Sequence, residues 1–247
     1  MRLNEFAAIS TTKALLVPYE RRHVLTYHAW MEDPAIQEAT ASERLSLEEE
    51  YENQGSWRAS HDKLTFIICQ PLPQGEHGTS LCAGESDAPE RMVGDVNLFL
   101  YPYEDEGEDQ LPSETLDFCV GEVDIMIADQ QHRGKGFGRA AVQAFLQYIY
   151  RHRDEIMQEY AEDKDVRTPP KLKLLMAKIN KGNAKSIALF KSLGFAQEGE
   201  VNYFGEVKLV LPSRVLTLRH SGGFALDLPE GYSELVYSKD QNQDEKR

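Results

Sequence analysis

The order of apolar and polar positions along the 247-residue chain switches between the two-residue period of strands and the 3.6-residue period of helices. Apolar, β-branched runs predict strands at residues 14–19, 63–70, 91–101, 115–128, 172–179 and within 200–211. Helical spacing predicts helices at residues 23–31, 46–60, 140–150 and 183–193. The mixture of periods predicts a protein of the α/β class.

Capping residues mark two of these helices. Ser46 and Glu49 have the spacing of a capping box. Asn183 is a predicted N-cap, and Gly194 has the position of a helix-terminating C′ residue.

The strand that ends near residue 128 leads into a loop with three glycines, at Gly134, Gly136 and Gly138, followed directly by a helix. Glycine allows backbone N–H groups to converge on one point, and the helix N-terminus adds its positive end. Arg133 and Lys135 supply fixed positive charge beside them. This segment therefore predicts a phosphate-binding loop.

Three classes of phosphate-binding loop compete for this segment. P-loop NTPases require G-x-x-x-x-G-K-[ST], but Lys135 is followed by Gly136. Dinucleotide folds require G-x-G-x-x-G early in a βαβ unit, whereas G-x-G-x-G lies deep in this chain. The third pattern, R/Q-x-x-G-x-G/A, is matched by Arg133, Gly136 and Gly138 and resembles the acetyl-CoA site of GNAT acetyltransferases. A glycine turn without a ligand remains the alternative.

A second motif favours the third class. Residues 183–195 match N-x-x-S-x-x-L-F-x-x-x-G-F and resemble the second GNAT signature. Short matches at residues 14–19, 28–31, 40–43, 93–99 and 133–136, in that order, are similar to the N-acetyltransferase 9-like branch, which is related to the RimJ/RimL type. The resemblance covers roughly residues 1–210. It implies an α+β GNAT fold: a central mixed, largely antiparallel twisted sheet, with a V-shaped splay between two central strands and flanking helices.

The resemblance implies acetyl-CoA as co-substrate and no metal. The residues that it implies for acetyl-CoA binding are Met126, Ile127, Ala128, Arg133, Gly134, Lys135, Gly136, Phe137, Gly138, Arg139, Asn183, Ser186 and Phe190. In this family a backbone N–H at a bulge in the central strand stabilises the oxyanion, and by position the bulge falls at Met126, Ile127 or Ala128.

GNAT chemistry is direct attack by a neutral amine, so a base is expected for a charged acceptor. Glu122 and Asp124 are the candidate bases because they alternate on one face of the central strand. The alternative is that both carboxylates face solvent or pair with Lys or Arg. The position at which the family often has a tyrosine acid is Phe190, which leaves the acid unassigned; Tyr203 and water are the candidates.

By resemblance, Thr40, Ser42 and Glu43 border the acceptor, although Ser42 could instead cap a helix. The RimJ/RimL relation implies a primary amine of a protein or peptide. A non-catalytic acyl-CoA-binding module is the second hypothesis, and Phe190 lends it weight. Amine-dependent thiol release distinguishes the two. A nicotinamide-dependent oxidoreductase predicts protection by NAD(P) against melting, which we do not expect.

The net charge of −14 disfavours a nucleic-acid partner and favours cationic acceptors, or serves solubility alone. We expect no secretory signal and no membrane partner, because no apolar run reaches spanning length. Cys69, Cys82 and Cys119 lack C-x-x-C spacing, so we expect a reducing compartment, the cytosol or the nucleus. A monomer or weak dimer is expected.

The predicted acetyltransferase domain is residues 1–211, with inserts near 71–90, 102–114 and 152–170. Acidic residues concentrate at 104–109 and 154–163, where they predict solvated surface that could attract a basic chain. Residues 212–247 are predicted to form a C-terminal extension with an edge hairpin and a disordered tail.

Overall fold

The computed structural model describes residues 1–73, 79–103, 117–164, 168–216 and 229–239. The strands in these residues are β1 (Ala7–Ser10), β2 (Leu15–Pro18), β3 (Lys63–Cys69), β4 (Ser80–Cys82), β5 (Met92–Pro102), β6 (Phe118–Ile127), β7 (Lys171–Asn180), β8 (Ala196–Gln197), β9 (Glu206–Pro212) and β10 (Ser233–Ser238). The helices are α1 (Val24–Met31), α2 (Pro34–Thr40), α3 (Leu47–Ala59), α4 (Phe137–Arg151), α5 (Arg153–Asp163), α6 (Ala184–Ser192) and α7 (Ser213–Leu216).

One sheet contains all ten strands of the described residues, in the order β4-β10-β1-β2-β3-β5-β6-β7-β9-β8. The pairs β6–β7 and β4–β10 are parallel, and the other neighbours are antiparallel. Pairing of β6 with β7 ends at Glu122 and Met176, although both strands continue beyond these residues. The two central strands therefore separate, which confirms the predicted mixed sheet with a V-shaped splay.

Alternation along β6 divides its side chains between two apolar layers. Val123, Ile125 and Ile127 face the layer that contains α4, α5 and α6. Met126 and Ala128 belong to the layer that contains α1 and α2. Since strand side chains alternate with a period of two, Glu122 and Asp124 lie on the same face as Met126. The two candidate bases thus lie on the opposite face of the sheet from α4.

Helix α4 is held by a broad apolar stripe. The rings of Phe145 and Tyr148 pack edge-on against Phe66 of β3, with ring centroids 5.9 and 5.3 Å apart. All three side chains are fully buried, and each contributes on the order of 1.5–3 kcal/mol relative to exposure. This packing fixes the helix N-terminus at the edge of the sheet where β6 ends.

Local patterns located most of these elements, whereas three features of the fold differ from expectation. The short strands β1, β4 and β8 have no counterpart among the predicted strands, and β4 lies within the predicted insert near 71–90. Helix α5 is more than a solvated insert, because Ile156, Met157, Tyr160 and Ala161 are buried. In the described part of the predicted edge hairpin, β10 pairs with β1 and β4 and Ser213–Leu216 is helical; residues 217–228 lie outside the described residues. The acidic residues 104–109 and the tail at 240–247 lie outside the described residues, and the domain boundary at 211 stays a prediction.

Candidate active site

The glycine loop ends in an uncapped helix N-terminus. Gly134 and Gly136 have φ values of 75° and 92°, a region that side chains other than glycine rarely adopt. Gly136 is the N-cap of α4, and within the described part of the chain no side chain caps the first turn. The first N–H groups of α4 are therefore available to an anion, as they are in phosphate-binding loops. The loop fits the phosphate groups of acetyl-CoA.

Arg133 positions this loop. Its Nε donates to the Ile127 carbonyl at 2.8 Å and its Nη2 to the Ala128 carbonyl at 3.1 Å, which ties the loop to the end of β6. Arg139 is also engaged, because its Nη1 donates to Ser192 Oγ at 2.6 Å. Arg133 thus ties the loop to the strand through two of its donors, and its contact with a phosphate group stays a prediction.

Besides Arg133 and Arg139, which are also exposed, the loop has the exposed basic side chains of Lys135 and Lys13 beside it. Lys13 comes from the β1–β2 turn, and its Cε lies 3.5 Å from the point where a Cβ on Gly136 would be. A cavity of about 270 Å³ separates this turn from the first turn of α4. Lys13 is not indicated by the sequence alone, since no motif connects it to a loop so far along the chain.

The predicted bulge in the central strand is not observed. The register of β5 with β6 runs without a shift from Gly94–Ile127 to Pro102–Cys119. Ala128 donates its N–H to the Val93 carbonyl, so the alternate residues Ala128 and Met126 direct their backbone groups towards β5. By the same alternation, the backbone of Ile125 and Ile127 faces the splay. The splay, with no bulge, exposes the backbone N–H groups that could stabilise an oxyanion.

Gly94 holds β6 in this position, and replacing it is expected to destabilise the fold. A Cβ at Gly94 would lie 1.9 Å from the Met126 carbonyl oxygen, so the substitution Gly94→Ala must displace one strand. We expect a loss of about 1–3 kcal/mol or more in the free energy of unfolding, measured by urea denaturation. In α3, where a Cβ on Gly55 meets nothing within 4 Å, Gly55→Ala should stabilise by about 0.4–1 kcal/mol. Equal stability of the two variants would contradict the close approach.

The second motif contributes a capped helix. Asn183 Oδ1 accepts a hydrogen bond from Ser186 N at 3.1 Å, which satisfies the first turn of α6. The amide Nδ2 of the exposed Asn183 remains a possible donor to acetyl-CoA. Phe190 does not line the site: it is 1 % exposed and packs edge-on against Phe195, with centroids 5.0 Å apart. Its inclusion among the cofactor-binding residues is therefore wrong, because α6 turns this position into the core.

The two candidate bases have different environments. Glu122 is buried and forms an ion pair with Lys178, with 2.8 Å between Oε2 and Nζ. The Asp124 residue is solvent-exposed, although protein atoms close to its carboxyl group reduce the hydration of that group. Incomplete hydration is the main cause that raises the pKa of Asp124 to about 7, and the charges of Glu122 and Asp95 add to it. Asp124 is thus the carboxylate that can exchange a proton near neutral pH.

A polar row that the sequence analysis missed lies beside Asp124. Asn97 of β5 is directly opposite Asp124, and Thr65 of β3 is directly opposite Asn97. Asn97 Nδ2 donates to Asp95 at 2.7 Å. Polar residues at alternate positions of an otherwise apolar strand, Asp95 and Asn97, were the available signal.

The predicted acceptor residues form a local turn at the end of α2. Thr40 Oγ1 donates to the Ile36 carbonyl at 2.9 Å and lies 2.9 Å from Ser42 Oγ, while Glu43 is exposed. Ser42 is not a helix cap, since Ser46 caps α3. Tyr203, the candidate acid, is 97 % exposed at the β8–β9 connection.

Comparison with known proteins agrees with this geometry. Residues 13–196 match the acetyltransferase (GNAT) domain. The N-acetyltransferase 9-like protein of Caenorhabditis briggsae is 38 % identical over 225 residues, which cover 91 % of this chain and 94 % of that protein. The alpha/beta-tubulin-N-acetyltransferase 9 of Drosophila melanogaster is 39 % identical over 214 residues, covering 86 % and 90 %.

Solved structures show the same fold at low sequence identity. Spermidine N-acetyltransferase from Vibrio cholerae, in complex with CoA and spermine, superimposes with a TM-score of 0.54 at 16 % identity, covering 82 % of this chain and 96 % of that one. Aminoglycoside acetyltransferase AAC(6')-Ib with coenzyme A gives a TM-score of 0.52 at 16 % identity, covering 86 % and 99 %. The glycine loop, the splayed strands and these matches together establish that the chain belongs to the GNAT acetyltransferase family, as an acetyl-CoA-dependent N-acyltransferase similar to the N-acetyltransferase 9-like proteins.

Proposed function

We propose that this acetyltransferase acts on the α-amino group of a protein or peptide, with Asp124 as the base. The observation that carries the proposal is the location of Asp124. Asp124 lies two residues after Glu122, where the pairing of β6 with β7 ends, and β6 then leads into the glycine loop. A carboxylate with a pKa of about 7 suits an α-ammonium group, whose pKa is about 7.7–8.0, better than a lysine near 10.4.

The residues divide the work between binding and proton transfer. Acetyl-CoA supplies the activated acetyl group. The first turn of α4 and the exposed Lys135 attract its phosphates, and Arg133 holds the loop against β6. Asp124 accepts a proton from the acceptor ammonium, which leaves a neutral amine. The backbone N–H groups of Ile125 and Ile127 face the splay and suit the developing oxyanion.

A protein acceptor is supported by relatives and by charge. Relatives from Drosophila melanogaster and Homo sapiens carry the name alpha/beta-tubulin-N-acetyltransferase 9. The net charge of −14 favours a cationic acceptor, and salt would screen this attraction. The position of Phe190 in the core leaves no tyrosine at the usual acid position, which favours water as the proton donor to the leaving thiolate.

The decisive experiment compares matched acceptors. The enzyme and acetyl-CoA are incubated with four acceptors in turn. These are a peptide with a free α-amine and blocked lysines, a peptide with a blocked α-amine and free lysines, spermidine, and purified α/β-tubulin. Mass spectrometry locates the acetyl group, and free thiol is measured in parallel. We expect acetylation of α-amines and amine-dependent thiol release. If only lysine side chains or spermidine were acetylated, the proposal that the acceptor is an α-amine would be contradicted. Tight acetyl-CoA binding without thiol release would favour the non-catalytic module.

A further inference from the structure

Asp95 is a buried carboxyl group without a counter-ion. Its residue is 2 % exposed, and Oδ2 accepts hydrogen bonds from Asn97 Nδ2 at 2.7 Å and from the Tyr27 hydroxyl at 3.5 Å. Both donors are neutral, and Oδ1 has no hydrogen-bond partner among the residues that the structure describes. Burial of an unpaired carboxylate is costly, and it raises the pKa of Asp95 to about 6.

The other buried aspartate on this side of the sheet shows what compensation looks like. Asp87 is also 2 % exposed, but it contacts His23 Nε2 at 2.9 Å and accepts hydrogen bonds from the Tyr237 hydroxyl and the Gly84 N–H, both at 2.5 Å. Burial opposes ionisation there as well, yet these contacts outweigh it and lower the pKa to about 2. Asp95 lacks any such set of partners, so structural stability does not explain its presence.

Asp95 and Asp124 are neighbours on one face of the sheet. Asp95 is opposite Met126 and Asn97 is opposite Asp124, so the two carboxyl groups are diagonal across β5 and β6. Diagonal Cα atoms are about 7–8 Å apart, close enough for the buried charge of Asp95 to act on Asp124. Ionisation of one carboxyl group therefore opposes ionisation of the other.

We propose that Asp95 is a positioning residue that acts through Asp124, because its uncompensated negative charge holds the proton that Asp124 takes from the acceptor amine. The role rests on the proposed function, in which Asp124 is the base. Among the described residues, the other charged or titratable groups near Asp124 are Glu122, Tyr101, Lys178 and Glu206. Those near Asp95 are Tyr19 and Tyr27, which Glu50 also approaches.

Among these groups Glu122 has the largest charge effect on the pKa of Asp124, and Lys178, 2.8 Å from Glu122, offsets part of it. Within the described residues Asp95 has no cationic partner, so nothing beside it offsets its charge. Because Asp95 is buried, it acts on Asp124 without contact with the acceptor.

The test is the substitution Asp95→Asn. The new amide can donate to Asn97 Oδ1, which has no partner within the described ranges, so the variant keeps the local packing. Because the pKa of Asp95 rises from its ordinary 3.8 to about 6 on folding, Asp95 makes the folded protein less stable as the pH increases from 3.8 to about 6. Above pH 6 this destabilisation is present in full. Asp95→Asn should therefore raise the melting temperature at pH 8.

The matched control is Asp87→Asn. Since the folded pKa of Asp87 lies below its ordinary value, its carboxylate stabilises the fold above pH 3.8, and this contribution is lost as pH falls towards 2. Asp87→Asn should lower the melting temperature at pH 8 without changing the pH dependence of catalysis. The two isosteric substitutions thus have opposite expected effects on stability.

The pH dependence of kcat/KM with an α-amine peptide is then measured for both variants. In Asp95→Asn the acid limb should move to lower pH by about one unit. An unmoved limb, or the same shift in Asp87→Asn, overturns the role of Asp95. If Asp95→Asn does not fold, Asp95→Ser removes the same charge and must give the same shift. Loss of the acid limb in Asp124→Asn tests separately whether Asp124 is the base. The role of Asp95 and the proposed function can therefore fail independently.

Discussion

The substitution Gly136→Val is expected to abolish measurable acetyl-CoA binding in a folded protein. Gly136 has a φ of 92° and is the N-cap of α4, and a β-branched residue cannot adopt this conformation without strain of about 1–3 kcal/mol. Release of the strain requires a negative φ, which turns the following N–H groups away from their common point. Calorimetric titration with acetyl-CoA measures the loss.

A matched control exists at the β8–β9 connection. Gly199 has a φ of 72°, and a Cβ there meets nothing within 4 Å. The substitution Gly199→Val should therefore introduce similar strain without affecting acetyl-CoA affinity. Normal affinity in a folded Gly136→Val variant would contradict the phosphate-binding role of the loop.

The features that sequence could predict are those encoded locally. The glycine loop, the Asn183 cap and the Ser46 capping box each depend on residues within a few positions, and the structure has both caps where expected. The positive φ values at Gly134 and Gly136 follow from the same local chemistry. The splay was inferred by resemblance to a family, since no local pattern indicates where two strands stop pairing.

The features that sequence could not predict depend on contacts between distant segments. Phe190 is apolar at the position where the family resemblance implies a tyrosine acid, but only the packing against Phe195 shows that it is buried. Lys13 reaches the loop because the β1–β2 turn lies at the edge of the sheet where α4 begins. Periodicity placed Glu122 and Asp124 on one face, whereas the ion pair with Lys178 that distinguishes them required the position of β7.

The substitution Asp124→Asn is expected to lower kcat/KM for an α-amine peptide by about 10²-fold at pH 7. The pKa of Asp124 is about 7 and the basic form is the active one, so wild-type kcat/KM should rise as pH increases through this value. In the variant this rise of kcat/KM near pH 7 disappears, and the remaining rise near pH 8 follows the deprotonation of the α-amine itself. Acetyl-CoA affinity should be unchanged, because the first turn of α4 is intact.

Two comparisons make the assignment of Asp124 specific. Raising the pH from 7 to 9 should increase kcat/KM of Asp124→Asn towards an α-amine by only about tenfold and then level off, because the neutral fraction of the amine rises from about a tenth to about nine tenths; towards lysine the rate should still be rising at pH 9. In Glu122→Gln the acid limb of the kcat/KM profile should remain but move to lower pH, since the positive charge of Lys178 is then no longer paired with Glu122 and lowers the pKa of Asp124. Steady-state rates between pH 5.5 and 9 measure both effects. A limb that persists unchanged in Asp124→Asn would exclude this carboxylate as the base and leave acetyl-CoA binding by the glycine loop unaffected.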